Sequence, residues 1–400
     1  MSGRSRGGEP RVGFYGRLGS GNYGNDGSFE GLLLGLRRYD PGIVADVMCS
    51  GPDTVSRRYG LPAVPMHWDL GGHEDRGGRM ARRVRTALRV GTGVAVDAWR
   101  TARWTRGHDA VVVPGMGTFE SSLPVRPWQV PWGLFALAAS GRLLGVPVAF
   151  VDVGVSPLPG RVTRALLVGA LRGAAHRSYR DEYSRDVAAS LGVDTSADEV
   201  LPDLAFVLAA PGGAPVEHAV GVGVMAWNGA TRDKALGHRR QERYEEVVVG
   251  LVRWLLDEGY GVRVFAGDDD DAEVARRVVS AVGAARQGQG EPADLRYEAV
   301  ATLGEVVERM SVLRAVVGTR YHNVVGALLA GRPALAVAYS QKHRALLEQY
   351  GLGEHCHDIA DLDLARLRRS LQAVLADEAA VADAVTERTW AARRALEGRL

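Results

Sequence analysis

Arg320, His322 and Lys342 fall in one stretch that opens Gly318-Thr-Arg-Tyr-His-Asn and closes Tyr339-Ser-Gln-Lys. Only two of the chain's 49 basic residues are lysines, and Lys342 is one of them. Where nearly every cation is written as arginine, a lysine suits a site that wants a compact ammonium point charge rather than a planar fork. Two fixed cations around an imidazole make an anion site, and the imidazole is a side chain that can hold and release a proton near neutral pH.

The surrounding pattern gives this trio a geometry. Arg314 to Gly318 reads as a short buried strand and Asn323 to Ala330 as a small-residue helix directly after it. Arg320 and His322 are then on a strand-to-helix turn, where free backbone N–H groups and the helix dipole favour an anion. Pro333 to Tyr339 reads as the next parallel strand, which puts Lys342 at its carboxyl end. Both turns open on the edge where parallel α/β sheets bind ligands.

A second signal follows the opening strand. The run Gly16-Arg-Leu-Gly-Ser-Gly-Asn-Tyr-Gly-Asn-Asp-Gly-Ser28 leads into a helix, with Gly21 in its bend and Asn22, Asn25 and Asp26 able to bond hydroxyls or phosphate oxygens. Ser28 is the expected helix cap. Gly19 to Gly24 fits G-x-G-x-x-G, but the rest of the chain does not support a dinucleotide reading; a turn needed only for tight packing is the competing account.

The background is that of a globular chain of 400 residues, 46% hydrophobic and 24% charged, with net charge +2. Nothing in that balance calls for nucleic acid. Cys49 and Cys356 suggest neither a disulfide framework nor a metal site, and no metal or cofactor is expected. The absence of a signal-peptide core or an 18-residue apolar run points to a cytoplasmic protein.

Alternating strand-like and helical runs divide the chain into two halves. The expected fold class is α/β, two Rossmann-like doubly wound domains facing across a cleft: 10–208, then 216–360, with Gly- and Pro-rich 209–215 as linker. A helical segment, 361–400, is expected to cross back and brace the first half. Between Arg76 and Arg106, nine arginines with Asp97 as the one acidic residue form a cationic, amphipathic surface suited to anionic lipid headgroups or an acidic glycan.

Taken in order, the motifs resemble the polysaccharide pyruvyl transferases, including their colanic-acid pyruvyl transferase-like branch. Gly21-Asn-Tyr-Gly-Asn-Asp26 looks like the family's opening loop and Val112-Val-Pro-Gly-Met-Gly117-Thr-Phe119 its second glycine loop. Arg180-Asp-x-x-Ser184, Pro202-Asp-x-x-Phe206, and Arg320-Tyr-His322 with Tyr339-Ser-Gln-Lys342 are similar to its later motifs, over about residues 11–360. The resemblance implies a GT-B-like fold and transfer of pyruvate from phosphoenolpyruvate, as donor substrate, onto two hydroxyls of a sugar or lipid-linked oligosaccharide. Arg180, Arg320 and Lys342 would neutralise the donor, with Gly21, Asn22, Asn25 and Gly117 lining the site. His322 would be the acid and Asp26 the base. Many family members read Gly-Asp where this chain reads Gly24-Asn25-Asp26, so the carboxylate is displaced by one position.

Other readings stand beside these. His322 can bond a backbone group at a helix start, Arg180 and Asp181 can be a structural ion pair, and Asp26 can hold an Asx turn. The acidic run Asp268 to Asp271 complements a helix dipole without any metal. Trp128, Trp132 and Trp227 can stack on sugars or fill the core. A nucleotide-sugar glycosyltransferase and a non-catalytic sugar-binding protein are the alternative functions.

Overall fold

The computed structural model describes residues 9–68, 79–115, 117, 119, 127–158, 160–209, 217–227, 234–286 and 294–399. The chain forms two compact units, Met1–Ser20 with Leu32–Asp203 and Gly21–Gly31 with Leu204–Leu400.

Unit 1 holds strands β1 (Arg11–Gly16), β2 (Val44–Cys49), β3 (Ala63–Pro65), β4 (Ala110–Val113), β5 (Val148–Val153), β6 (His176–Tyr179) and β7 (Glu199–Val200). Its helices are the second half of α1 (Tyr23–Tyr39), from Leu32 on, then α2 (Pro52–Tyr59), α3 (Arg79–Thr105), α4 (Val130–Leu144), α5 (Arg161–Gly173) and α6 (Glu182–Ser190). The sheet is parallel, in the order β3-β2-β1-β4-β5-β6-β7. The order reverses between β1 and β4, the kind of switch point where such sheets take ligands.

Unit 2 holds β8 (Ala219–Gly223), β9 (Gly261–Phe265), β10 (Leu295–Glu298), β11 (Ala315–Gly318), β12 (Ala334–Ala338) and β13 (Cys356–Asp358). Helices α7 (Lys234–Asp257), α8 (Asp269–Arg286), α9 (Leu303–Met310), α10 (Tyr321–Leu329), α11 (Gln341–Gln349), α12 (Leu364–Ala376) and α13 (Glu378–Glu397) complete it. The parallel order β10-β9-β8-β11-β12-β13 reverses between β8 and β11. Strands β8, β9, β11 and β12 are buried along their whole length, which is why β8, β11 and β12 read as continuous apolar runs rather than alternating ones; β9 carries the buried Arg263. Val220, Val222, Val264, Val317 and Leu335 pack with Leu251 and Leu255 of α7, Val274 and Val278 of α8 and Leu367 and Leu371 of α12.

Each half is the doubly wound sheet that the sequence predicts, but three boundaries differ. The Gly21–Gly31 loop and first turns of α1, expected in the first half, cluster with unit 2. The physical reason is the Tyr23 side chain, whose hydroxyl donates to Ala266 O at 2.8 Å. Residues 204–208, also expected in the first half, form a 3-10 turn of unit 2, with Phe206 stacked on Tyr350. The 361–400 segment belongs to unit 2 as well. It breaks at Asp377 into α12, against α7, and α13, against α10 and the 204–208 turn. Thr389 Oγ1 donates to Leu328 O at 2.9 Å, tying α13 to α10.

The 210–215 part of the linker lies outside the described residues, as do Arg76 and the side chains of 79–89 in the cationic surface. In the described part of α3, Trp99 is 62% exposed with the Arg103 guanidinium over its ring, while Asp97 is buried and bonded to Trp68 N. Among the described residues, no helix is long and apolar enough to cross a membrane.

Candidate functional site

The turn between β11 and α10 is the centre of unit 2. Arg320 is the extended N-cap residue of α10, so Tyr321 and His322 fall in the first helical turn, two residues earlier than the sequence predicts. The helix can start here because Asn323, the next residue, is wholly buried and bonded: its Nδ2 donates to Tyr23 Oη at 2.7 Å and lies 3.3 Å from Ala266 O.

The His322 imidazole packs against Gly24. A Cβ at Gly24 would overlap His322 Nδ1 and Cγ, so only glycine allows the imidazole this seat. The helix α1 begins at Tyr23 because Asn22 caps it: Asn22 Oδ1 accepts from Gly24 N at 3.1 Å and Asn25 N at 3.2 Å. That corrects Ser28 as the cap, since Ser28 Oγ instead donates back to Gly24 O at 3.2 Å. Asp26 follows in the first turn of α1, 3% exposed, where the dipole favours a carboxylate. The other glycines of the loop answer to backbone needs. Gly19 has φ +66° and packs against Gly51 O, and Gly21 has φ +85°, so packing accounts for the G-x-G-x-x-G match.

Gly24→Ala isolates the close approach. Alanine is otherwise the better helix residue by about 1 kcal/mol, yet here it must push the imidazole aside. The expected outcome in thermal unfolding is a lower Tm for Gly24→Ala that returns to the wild-type range in Gly24→Ala/His322→Ala.

Arg320 is held by two carboxylates. Its Nε and Nη2 donate to Asp271 Oδ2 and Oδ1 at 2.6 and 2.8 Å, and Nη2 lies 2.7 Å from Asp268 Oδ2. Asp271 is wholly buried and also accepts from Ala226 N at 2.7 Å and Gly267 N at 3.1 Å. It thus joins the ends of β8 and β9 to the β11–α10 turn. The acidic run therefore does more than complement the α8 dipole: two of its carboxylates fix Arg320. Nη1 of Arg320 makes no hydrogen bond among the described residues and keeps donors for a ligand.

Burial raises the Asp268 pKa to about 6; Arg320 opposes that rise and Asp271 adds to it. A carboxyl raised in the folded state is most favourable below its unfolded value, near 3.8, and that contribution is lost as pH rises through about 6. The expected result is that wild type loses on the order of 2–3 kcal/mol relative to Asp268→Asn between pH 4 and pH 7. Paired denaturant titrations across that range measure it.

Lys342 is in the first turn of α11, behind the N-cap Ser340. Its Nζ sits 5.3 Å from the centroid of the Tyr321 ring and 5.2 Å from that of Tyr339, a cation between two aromatic faces. This is the physical reason for lysine at a helix start, where a cation is otherwise unfavourable. His343, which the sequence reading passed over, is wholly buried, with Nε2 3.1 Å from Thr319 O and Nδ1 3.3 Å from Ser340 O. It ties the Arg320 turn to the Lys342 turn. Asn323 Oδ1 and Ser340 Oγ are buried oxygens with no hydrogen-bond partner among the described residues.

Unit 1 has its own cluster at the carboxyl ends of its strands. Arg180 follows β6, is 4% exposed, and has Nε 3.5 Å from Asp181 Oδ2. Asp181 caps α6 by accepting from Ser184 N at 2.6 Å, and Ser184 Oγ accepts from Val155 N at 3.0 Å. The Arg-Asp-x-x-Ser motif is therefore a clip that holds the turn bearing Arg180. Asp152, also not singled out from sequence, is wholly buried at φ +59°, and Gly115 packs on its carbonyl. A non-glycine residue in that region is a mark of local strain, tolerated best by Asp and Asn. Gly117 is in the turn after β4; Met116 and Thr118 beside it lie outside the described residues.

This architecture, two doubly wound parallel α/β units, is GT-B-like and is shared with known sugar-nucleotide proteins. S. aureus MnaA, solved with UDP, is 12% identical with TM-score 0.58, covering 94% of this chain and 91% of that one. Anabaena HepE in complex with UDP and glucose is 10% identical with TM-score 0.59, covering 96% and 95%. The UDP-GlcNAc 2-epimerase from Neisseria meningitidis bound to UDP-GlcNAc is 10% identical with TM-score 0.56, covering 98% and 100%. Identities this low define the fold alone. The sequence model of the polysaccharide pyruvyl transferase family matches residues 22–341, and the chain belongs to that family. It is accordingly a transferase of polysaccharide biosynthesis, acting on a sugar or glycan.

Proposed function

We propose that this protein transfers pyruvate from phosphoenolpyruvate to two hydroxyls of a sugar or glycan, forming a cyclic ketal and releasing phosphate. The observation that carries this reading is the seating of His322 at the start of α10, against Gly24, with the Lys342 ammonium held over Tyr321 in the same turn. An imidazole and a cation at a helix N-terminus suit an anionic substrate that must be protonated on carbon.

His322 gives a proton to the methylene carbon of the enol, and the adjacent carbon acquires oxocarbenium character. A sugar hydroxyl attacks that carbon, its proton passing to Asp26. Phosphate departs with the C–O bonding pair, and a second hydroxyl closes the ring, its proton leaving with the phosphate or returning to His322. The donor carries roughly three negative charges, so the site must offer matching positive potential. Lys342 and the Nη1 donors of Arg320 are assigned to that task. Asn25 and the backbone at Gly21 are assigned to the acceptor, and Asn22 holds the loop as its cap. The cationic, Trp99-bearing surface of α3 is the proposed side for a lipid-linked acceptor.

Incubation of the purified protein with phosphoenolpyruvate and a panel of glycosides tests the proposal. Phosphate release that requires the glycoside, with pyruvate recovered as an acid-labile ketal, supports it. Turnover of a nucleotide sugar without phosphoenolpyruvate replaces it with glycosyl transfer.

A further inference from the structure

A cavity of about 250 Å³ opens in unit 2 beside the His322 turn, lined by Trp227, Arg239, Arg240, Arg243 and Tyr244 and by the turn after β13. The three arginines lie on α7 at spacings that place Arg243 one turn from each of the others. Among the described residues none of the three forms an ion pair. Other arginines of unit 2 are paired: Arg263 with Asp294, Arg277 with Glu245, and Arg320 with Asp271. Like charges one helical turn apart are unfavourable unless something between them is negative.

The apolar wall is equally defined. The Arg240 guanidinium carbon is 5.7 Å from the centroid of the half-buried Trp227 ring, and Trp227 N donates to Gln241 Oε1 of α7 at 2.5 Å. At the floor, Tyr244 Oη accepts from Met225 N at 3.2 Å and lies 2.8 Å from Thr319 Oγ1, the residue before Arg320. The pocket therefore backs onto the turn that carries the proposed acid.

We infer that this pocket binds a phosphorylated saccharide, with the phosphate oxygens forked by Arg240 and Arg243 and the sugar ring laid on Trp227. Guanidinium forks match phosphate geometry, and an indole face suits the C–H face of a sugar. The volume is below the ~300–1,000 Å³ of sites for drug-sized ligands, which fits a sugar phosphate rather than a whole nucleotide sugar. The choice of a sugar as the phosphate's companion rests on the proposed glycan substrate; the phosphate site does not.

Calorimetric titration of the full chain at low salt, without phosphoenolpyruvate, tests this. Glucose 1-phosphate is expected to bind at least tenfold more weakly to Arg240→Gln/Arg243→Gln than to wild type, and glucose at the same concentrations to give no signal. Both arginines are exposed, so the variant keeps the wild-type circular dichroism spectrum. Trp227→Ala should weaken glucose 1-phosphate while sparing inorganic pyrophosphate. Farnesyl diphosphate separates the sources: arginine-dependent binding tighter than that of glucose 1-phosphate assigns the phosphate to a lipid carrier, and weaker binding assigns it to a free sugar phosphate. Equal affinity of wild type and the double variant for glucose 1-phosphate, or binding by neither, overturns the inference. Pyruvyl transfer takes no part in these measurements, so the two proposals fail separately.

Discussion

His322→Ala is expected to lower glycoside-dependent phosphate release by about 10²- to 10⁴-fold, the range over which a positioned general acid contributes. The loss should fall on kcat, because in the proposed mechanism the imidazole would act on the enol carbon in the transition state while Lys342 would hold the donor in the ground state. Lys342→Ala should divide differently, raising KM for phosphoenolpyruvate. The His322→Ala protein should stay folded, since the ring is partly exposed and packs against a glycine that has no side chain to lose its support. A drop of less than tenfold in kcat would remove His322 from the chemistry.

Asp271→Asn should give the largest loss of stability. Four donors converge on the two oxygens of Asp271: Ala226 N, Gly267 N and two nitrogens of Arg320. Asparagine offers one oxygen and turns an NH₂ toward two of those donors, leaving a mostly buried guanidinium half paired. Breaking a buried pair in this way costs about 3–5 kcal/mol. For a unit of this size that is a fall in Tm of roughly 10 °C. Exposed Asp270, one residue earlier, is the control, and Asp270→Asn should stay within about 0.5 kcal/mol of wild type. Equal effects of the two substitutions would show that Asp271 is not what fixes the turn.

The sheet cores were legible because buried parallel strands are written in one alphabet. Ala315–Gly318 and Ala334–Ala338 fall inside the apolar runs that the sequence predicts as strands, 314–318 and 333–339. Edge strands were not. Leu295–Glu298, Ala63–Pro65 and Cys356–Asp358 are three or four residues long and carry charge or proline, so no period can develop. The anion turn was legible from the types of Arg320, His322 and Lys342, whereas the pairing of Arg320 with Asp268 and Asp271 was not. That pairing joins positions some fifty residues apart, and the acidic run has a sufficient local explanation in the dipole of α8. His343 was hidden beside Lys342 because burial, which gives the ring its role, leaves no mark in composition.

The phenol of Tyr23, set between Ala266 O and the Asn323 amide, bears on how this molecule can be dissected. A fragment cut at the glycine- and proline-rich connector and begun near residue 217 would carry every strand of its sheet, yet lack the plug that stops up its own centre. A polar hole would open under the start of α10. Supplying Gly21–Gly31 as a separate peptide, or fusing it to the fragment through a tether, is the cut the architecture favours.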